Sequence, residues 1–425
     1  MALTSVAMAG LTACGGESTP ETGGTGAKEL TYWSMWTNDE PMSKVIQKAL
    51  TSFEQETGVK VHVQWQGRDV LTKVKAALNT STVPDLVDQG FPALKATLAL
   101  SHQALDLRPV YDMSIPGETG KTVRDVIPKS YDALNTADGK IITVPYYVSA
   151  NSWWFSGKAY PDLVSNPPAT WSDFTKTFET VKSKGQAPIA QDADLLGYDS
   201  TLVYAALVRA LGPGNLHKLV ADQSGAGWDD PKIKAALTEI ANLAKDKNYL
   251  PGYDASKYPA MEKDWAHGKA AYIYMGSWVP QYDGPDAAPD FDLQTFNFPT
   301  LVGTDRSVPV TTFGYSIPSK AANAVAAKNF IAYFAASKWG TQISQDATLL
   351  TPNPDIAVPK VLKGLQAMLK DNPIYLTNDG VGADYPDLSK QFDPLNQGLI
   401  TGKYDAGQYI AKAKDTQVQY WKLNG

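Results

Sequence analysis

The chain is expected to be an α/β protein whose first part forms a parallel sheet. Three observations carry this expectation: short runs with apolar residues at period two, apolar residues at helical spacing between those runs, and a length of 425 residues. At ~100–200 residues per domain, that length accommodates two or three domains with filled cores. Leu30–Trp36 is the first expected strand, with Tyr32 and Ser34 alternating against Thr31 and Trp33. A helix follows over Pro41–Thr57, where Val45, Ile46, Ala49, Leu50 and Phe53 recur at helical spacing and Gly58 supplies the left-handed stop. Val59, Val61, Val63 and Trp65 then alternate with Lys60, His62 and Gln64, a strand with one side in water. A second helix covers Leu71–Asn79, and Pro84-Asp85-Leu86-Val87 opens a third strand. Strands separated by helices in this way pair in parallel through right-handed crossovers.

Lys140–Tyr147 is the next strand, its Pro145 suited to an edge or to the end of pairing. Beyond it the pattern is mainly helical. Thr170-Trp171-Ser172-Asp173 resembles a capping box opening a helix that stops at Gly185. Asp230-Pro231 places a cap and a first-turn proline before Lys232–Lys247. Ala270–Met275 is a short buried strand, Asn323–Ser337 an Ala-rich amphipathic helix, and Pro394–Trp421 a helical tail interrupted near Gly402.

Composition removes several function classes. With 43% hydrophobic residues and no repeat of 20–50 residues, the chain is neither a repeat array nor largely disordered. Its net charge of −6, with Lys and Arg scattered, argues against nucleic acid as a partner. No apolar run reaches the ~18 residues that span a bilayer. The single cysteine, Cys14, excludes an internal disulfide and a thiolate metal cluster. His62, His102, His217 and His267 lack metal-ligand spacing. Gly117-Glu118-Thr119-Gly120-Lys121-Thr122 imitates a phosphate loop, but two residues separate its glycines where four are needed, so it is expected to be a surface turn. There is no Gly-x-Ser-x-Gly nucleophile elbow. No cofactor, metal or catalytic nucleophile is expected.

The first residues read as export machinery. Met1–Ala13 is apolar and small, and Leu11-Thr12-Ala13-Cys14 resembles the bacterial lipobox, in which the cysteine sulfur takes a diacylglyceryl group. Two or more acyl chains give durable anchoring. Residues 15–28, Gly-, Ser- and Thr-rich, then form a flexible tether. No Lys or Arg precedes Lys28, so the true translation start is expected upstream of Met1.

Five pieces along the body occur in one order and spacing. They are Phe53–Val61, Pro84-Asp85-Leu86, Gly139–Pro145, Pro168-Ala169-Thr170-Trp171, and His267–Ala271 followed by Met275-Gly276-Ser277-Trp278. In this the chain resembles, from Leu30 to its C-terminus, the extracellular solute-binding proteins of ABC importers, specifically the family 1 carbohydrate-binding group similar to maltose-binding protein. The resemblance implies a type II periplasmic-binding-protein fold, two α/β lobes joined by several crossover strands. Lobe 1 would take 29–145 and 284–357, lobe 2 would take 146–283 and 358–425. It implies a monomer, held at the outer face of the cell membrane through lipid on Cys14. That monomer captures a mono- or oligosaccharide in the cleft, without chemistry on it, and delivers it to permease subunits by hinge closure.

A pyranose presents apolar C–H faces and a rim of hydroxyls, so its site needs flat aromatic plates and planar polar side chains. One indole face removes ~50–80 Å² of apolar surface from water, about 1–2 kcal/mol. Cleft residues belong at the C-terminal ends of strands. Trp278 is the first candidate, since it follows a strand and Gly276 and Ser277 permit close approach, and the family's aromatic at this position stacks on sugar. Trp36, Asn38 and Asp39 follow the first strand, with helix capping as the competing role for Asn38 and Asp39. Arg68 follows the second strand, a candidate to fork onto vicinal hydroxyls, with an ordinary surface arginine as the competing role. Asp88 and Gln89 follow the third, Asp88 matching an acidic contact of the family. From Tyr146, Tyr147, Ser149, Asn151 and Trp153, strand alternation sends roughly half inward, and Tyr147 and Asn151 are taken for the cleft. The resemblance adds Asp192 from the Asp192–Asp199 loop, Phe313 beside an expected glycine-rich turn, and Tyr385 from a loop that often brings another plate. Trp171, Trp228, Trp339 and Trp421 are expected to be structural. The alternatives are a secreted glycoside hydrolase, which also needs aromatic plates together with a carboxylate pair, the same fold binding a polyamine or iron, and a receptor reporting to a sensor kinase.

Overall fold

The computed structural model describes residues 28–425. The export segment, with the Cys14 lipidation site and most of the tether, lies outside the described residues.

The first sheet is built as the alternation requires. Glu29–Ser34 buries Leu30, Tyr32 and Ser34 and pairs in parallel with Lys60–Trp65 on one side and with Leu86–Gly90 on the other. Lys60–Trp65 is the edge strand and alternates between exposed and half-buried residues. The helix Pro41–Thr57 lays Val45, Ile46, Ala49, Leu50 and Phe53 against the sheet and ends at Gly58 with φ 73°. Burying those side chains contributes about 1.5–3 kcal/mol for each large one, which holds the helix to the sheet. The long strand Val308–Ser316 completes the sheet. It runs antiparallel to Leu86–Gly90 and to Val144–Ala150, and parallel to Ile374–Leu376.

A second sheet has the order Leu293–Phe296, Ser152–Ser156, Ala270–Met275, Ala187–Ala190. Around it pack the helices Trp171–Ser183, Leu196–Leu211 and Pro231–Lys245. Thr170 caps the first of these by accepting from the Asp173 N–H at 3.1 Å, and Asp230 caps the third from the Lys232 N–H at 2.8 Å. Much of the aromatic content goes into the cores. Trp153, Trp154, Trp228 and Trp265 are fully enclosed, and Trp171 and Trp339 are buried. Trp421 donates to the Val220 carbonyl at 2.9 Å.

The sheets therefore define two lobes, but the crossings differ from those expected. Val144–Ala150 still pairs in the first sheet, because Val310–Tyr315 needs a partner on its free edge, and the chain changes lobe at Asn151. Leu293–Phe296 belongs to the second sheet, so the return crossing falls between Phe296 and Val308 rather than at 284. Ile374–Leu376 still belongs to the first sheet, so the last crossing follows Leu376 rather than 357. Three local expectations also change. Lys140–Tyr147 divides into a hairpin strand, Lys140–Ile141, and the strand Val144–Ala150. Asn323–Ser337 becomes Ala324–Phe334 followed by a separate helix, Ser337–Asp346. The tail helices are Pro386–Ile400, with Pro394 inside, and Ala406–Asn424. No helix among the described residues is long and apolar enough to cross a membrane.

Candidate functional site

A cavity of about 490 Å³ lies where the two lobes meet, within the range of small-molecule sites. Lobe 1 lines it with Met35, Trp36, Arg68, Gln89, Tyr147 and Phe313, and lobe 2 with Tyr198, Tyr258, Trp278, Gln281 and Tyr282. Trp36, Arg68 and Gln89 stand at the C-terminal ends of the first three strands, and Trp278 just beyond the end of Ala270–Met275. Here the sequence-predicted residues Trp36, Arg68, Gln89, Tyr147, Trp278 and Phe313 come together. A larger groove of about 790 Å³, between the Pro231–Lys245 helix and residues 401–407, belongs to lobe 2 alone.

Aromatic surface comes from both lobes. Tyr147 and Phe313 stack on each other, centroids 4.9 Å apart and planes 21° apart. Phe313 sits in a strand rather than beside a turn. At Gly314 the pairing with Val144–Ala150 shifts by a bulge, and a Cβ there would lie 2.3 Å from the Val144 carbonyl oxygen. From lobe 2, Trp278 and Tyr198 lie nearly parallel, planes 25° apart at 6.4 Å, and Tyr258 meets Tyr198 edge-on. Trp278 is half-buried, and its ring folds back over Gly276, where a Cβ would come within 1.9 Å of it. Gly276 thus makes room for the indole itself, while the buried Ser277 hydroxyl faces Val148 and Ser149 instead.

The polar residues are largely committed within the protein. Asp88 is enclosed and accepts from the Met35 N–H at 2.8 Å and from the Tyr146 hydroxyl. Tyr146 in turn accepts from the Trp36 indole N–H at 2.9 Å. Burial pushes the Asp88 carboxyl up to about 6, against the pull of these hydrogen bonds. Asp88 therefore orients Trp36 from behind. Arg68 lies over the Trp36 ring, 4.8 Å from its centroid. Its guanidinium donates to the Met35 carbonyl at 2.6 Å, to both carboxylate oxygens of Glu40 and to the Tyr282 hydroxyl at 3.0 Å. Of its five N–H groups only that of Nε is left, so the expected fork onto a diol is spent on the protein. Gln89 likewise donates to the Arg68 carbonyl and accepts from the Gly90 N–H.

Five other expected residues are not brought to this cavity. Asn38 and Asp39 are exposed at the entry to the first helix, with Asp39 accepting from the Thr37 hydroxyl. Asn151 is buried at the lobe crossing, its N–H on the Pro309 carbonyl. Asp192 is spent at the start of the short helix Ala260–Ala266, where it accepts from the Met261 and Glu262 N–H groups and the Ser256 hydroxyl. Tyr385 packs between His217 and Trp421 on lobe 2.

Sequence reasoning missed Tyr198, Tyr258, Gln281 and Tyr282. A signal existed for three of them. Tyr198 lies six residues after Asp192, in the first turn of the helix Leu196–Leu211. Gln281 and Tyr282 follow Trp278 by three and four residues, the spacing that puts side chains on one helical face. Behind Tyr198 and Tyr258, Glu262 and Asp283 are both buried. Burial raises both carboxyls, helped at Glu262 by the charge of Asp283 and at Asp283 by the charges of Asp286 and Asp192, against the hydrogen bond Asp283 accepts from Glu262. Among the described residues no group of three or more His, Cys, Asp or Glu is placed to hold a metal ion.

Comparison with known proteins agrees with this geometry. The family model for bacterial extracellular solute-binding proteins matches residues 36–341. The diacetylchitobiose binding protein NgcE of Streptomyces coelicolor is 20% identical over 278 residues, 65% of this chain and 56% of that protein. The multiple sugar-binding protein of Streptococcus mutans is 23% identical over 310 residues, 70% of this chain and 69% of that protein. The match thus spans little more than half the length of the first relative. Among solved structures, apo RafE of Streptococcus pneumoniae superposes with a TM-score of 0.76 at 17% identity, covering 94% of this chain and 99% of that one. MsmE of Bacillus subtilis, in an open conformation, superposes with a TM-score of 0.75 at 15% identity, covering 95% and 99%.

Proposed function

This chain belongs to the bacterial extracellular solute-binding proteins, and from that premise we propose that it captures a carbohydrate in the interlobe cleft and hands it, unaltered, to the permease of an ABC importer. The observation that carries the reading is the paired aromatic lining, Tyr147 with Phe313 from lobe 1 and Trp278 with Tyr198 from lobe 2, around one cavity. Rings on both sides suit the two C–H faces of a pyranose. Among the described residues its one charged lining group, Arg68, is met by Glu40, which suits an uncharged polyol better than a polyamine. The names of the two relatives, both sugar binders, support the ligand class.

A ligand touching both lobes shifts the open–closed equilibrium by its extra affinity for the closed form, and closure is what the permease reads. Energy comes from a separate ATPase subunit. The protein acts as a monomer at the outer face of the cell membrane, anchored by lipid on Cys14. Cys14→Ser is expected to release the protein into the medium with its ligand affinity intact, and retention at the membrane would overturn the anchor.

The test of the ligand class is a thermal-shift screen against mono- and oligosaccharides, followed by recovery of the bound sugar. A sugar that raises the melting temperature and is recovered intact supports the reading. A shift with polyamines alone, or recovery of cleaved sugar, refutes it.

A further inference from the structure

The Tyr282 hydroxyl donates to Glu40 Oε1 at 2.7 Å and accepts from an Arg68 N–H at 3.0 Å. Tyr282 ends the short helix after the lobe 2 strand Ala270–Met275, whereas Glu40 and Arg68 follow the first two strands of lobe 1. One phenol thus bonds across the cleft. The lobe 1 half is prepared in advance. Glu40 accepts from the Thr37 N–H at 2.6 Å and pairs with Arg68, whose guanidinium is held by the Met35 carbonyl and the face of Trp36. The Glu40 side chain is only 13% exposed, whereas Tyr282 is 40% exposed, so the carboxylate is held in place while its bond to the phenol lies at the rim of the cleft, open to competing water.

We propose that Tyr282, with the Glu40–Arg68 pair, is a latch that holds a fraction of the ligand-free protein closed. Arg68 serves this latch rather than gripping the ligand's hydroxyls. The proposal rests on the cleft-closure part of the reading above and not on which ligand enters. Making the bond in the closed form alone raises the closed fraction before ligand arrives, and apparent affinity scales with that fraction. The latch also keeps Trp36 covered by Arg68, leaving the plates of Tyr147, Phe313, Trp278 and Tyr198 for the ligand.

The experiment measures lobe separation without ligand. Spin labels on Gln55→Cys of lobe 1 and Lys257→Cys of lobe 2, both exposed, in a Cys14→Ser background report the distance distribution. Tyr282→Phe keeps the ring and removes only the hydroxyl. It is expected to lower the short-distance population about fivefold, the order expected for one hydrogen bond to a charged group near the surface. Glu40→Gln, which retains the side chain's shape but removes its charge, is expected to lower it by a smaller factor, since the bond from Arg68 to the phenol remains. The double variant is expected to fall no further than Tyr282→Phe alone. Distributions identical to the parent in both single variants would overturn the latch, as would additive effects in the double variant. Because no sugar is present, a shift here together with a blank sugar screen would reject the carbohydrate reading and keep the latch. Sugar binding with unmoved labels would do the reverse.

Discussion

At the scale of single residues, the cavity separates side chains that offer a free surface from those already engaged. Trp278 is half-buried and lines the cavity at the edge of the core. Trp278→Ala is expected to weaken sugar binding at least about tenfold, the value of one stacked face, with little change in the melting temperature of the free protein. Gly276→Ala is the complementary change. Its Cβ would meet the Trp278 ring at 1.9 Å, so the indole must swing away and affinity should fall by a similar factor without any loss of aromatic surface. Calorimetric titration of both variants decides the matter, and parent-like affinity in Gly276→Ala would mean that the ring's place over the glycine is unimportant. Asp88, Asp192 and Arg68 show why residue type alone misleads. A carboxylate or guanidinium at the end of a strand is equally placed to meet a ligand or to meet backbone N–H and C=O groups, and here the backbone is nearer.

At the scale of elements, the strand Val308–Ser316 ties the molecule together, with partners on both edges and Phe313 delivered to the cavity. The bulge between Phe313 and Gly314 sets which of its side chains face the cleft, since one residue of slip reverses every face. Gly314→Ala would drive a methyl into the Val144 carbonyl. It is expected to cost about 1–3 kcal/mol in urea unfolding and to weaken ligand binding as Phe313 and Tyr147 lose register. A neutral Gly314→Ala would show that the bulge yields without cost. The helices behave more simply. Their caps at Thr170 and Asp230 are local chemistry, and these were readable from a few residues.

At the scale of the whole molecule, buried carboxyls give stability a pH dependence. Burial raises Asp199 to about 8, against the bond it accepts from Gln191, and Asp88 to about 6. Glu262 and Asp283 are raised as well. A carboxyl whose folded value lies above its unfolded value keeps its proton in the fold, so its stabilising effect is full at low pH and is lost as pH rises through the folded value. The melting temperature is therefore expected to be higher at about pH 5.5 than at about pH 8, and Asp199→Asn should flatten that slope. At still lower pH the trend reverses, because Glu40, Asp106 and Asp173 are held below the ordinary carboxylate range by hydrogen bonds and by Arg68, Arg108 and Lys176, and they lose that stabilisation on protonation. A scanning-calorimetry series rising steadily from pH 5.5 to 8 would contradict the assignment.

By itself the sequence determined what depends on neighbours in the chain. Alternation in Glu29–Ser34 and Lys60–Trp65, helical spacing in Pro41–Thr57, the caps at Thr170 and Asp230, and the resemblance carried by ordered short segments all follow from contacts within a few residues. Cleft aromatics next to strand ends, Trp36 and Trp278, were legible for the same reason. Only the tertiary structure decided which strand ends pair across lobes, where the chain crosses, and which polar side chains were already satisfied. Those answers depend on partners far away in sequence, such as Asp88 with Tyr146 or Arg68 with Tyr282. A hydrogen-bonding group goes to whichever partner the packed fold brings within 3 Å, and that competition has no trace in the spacing of residues.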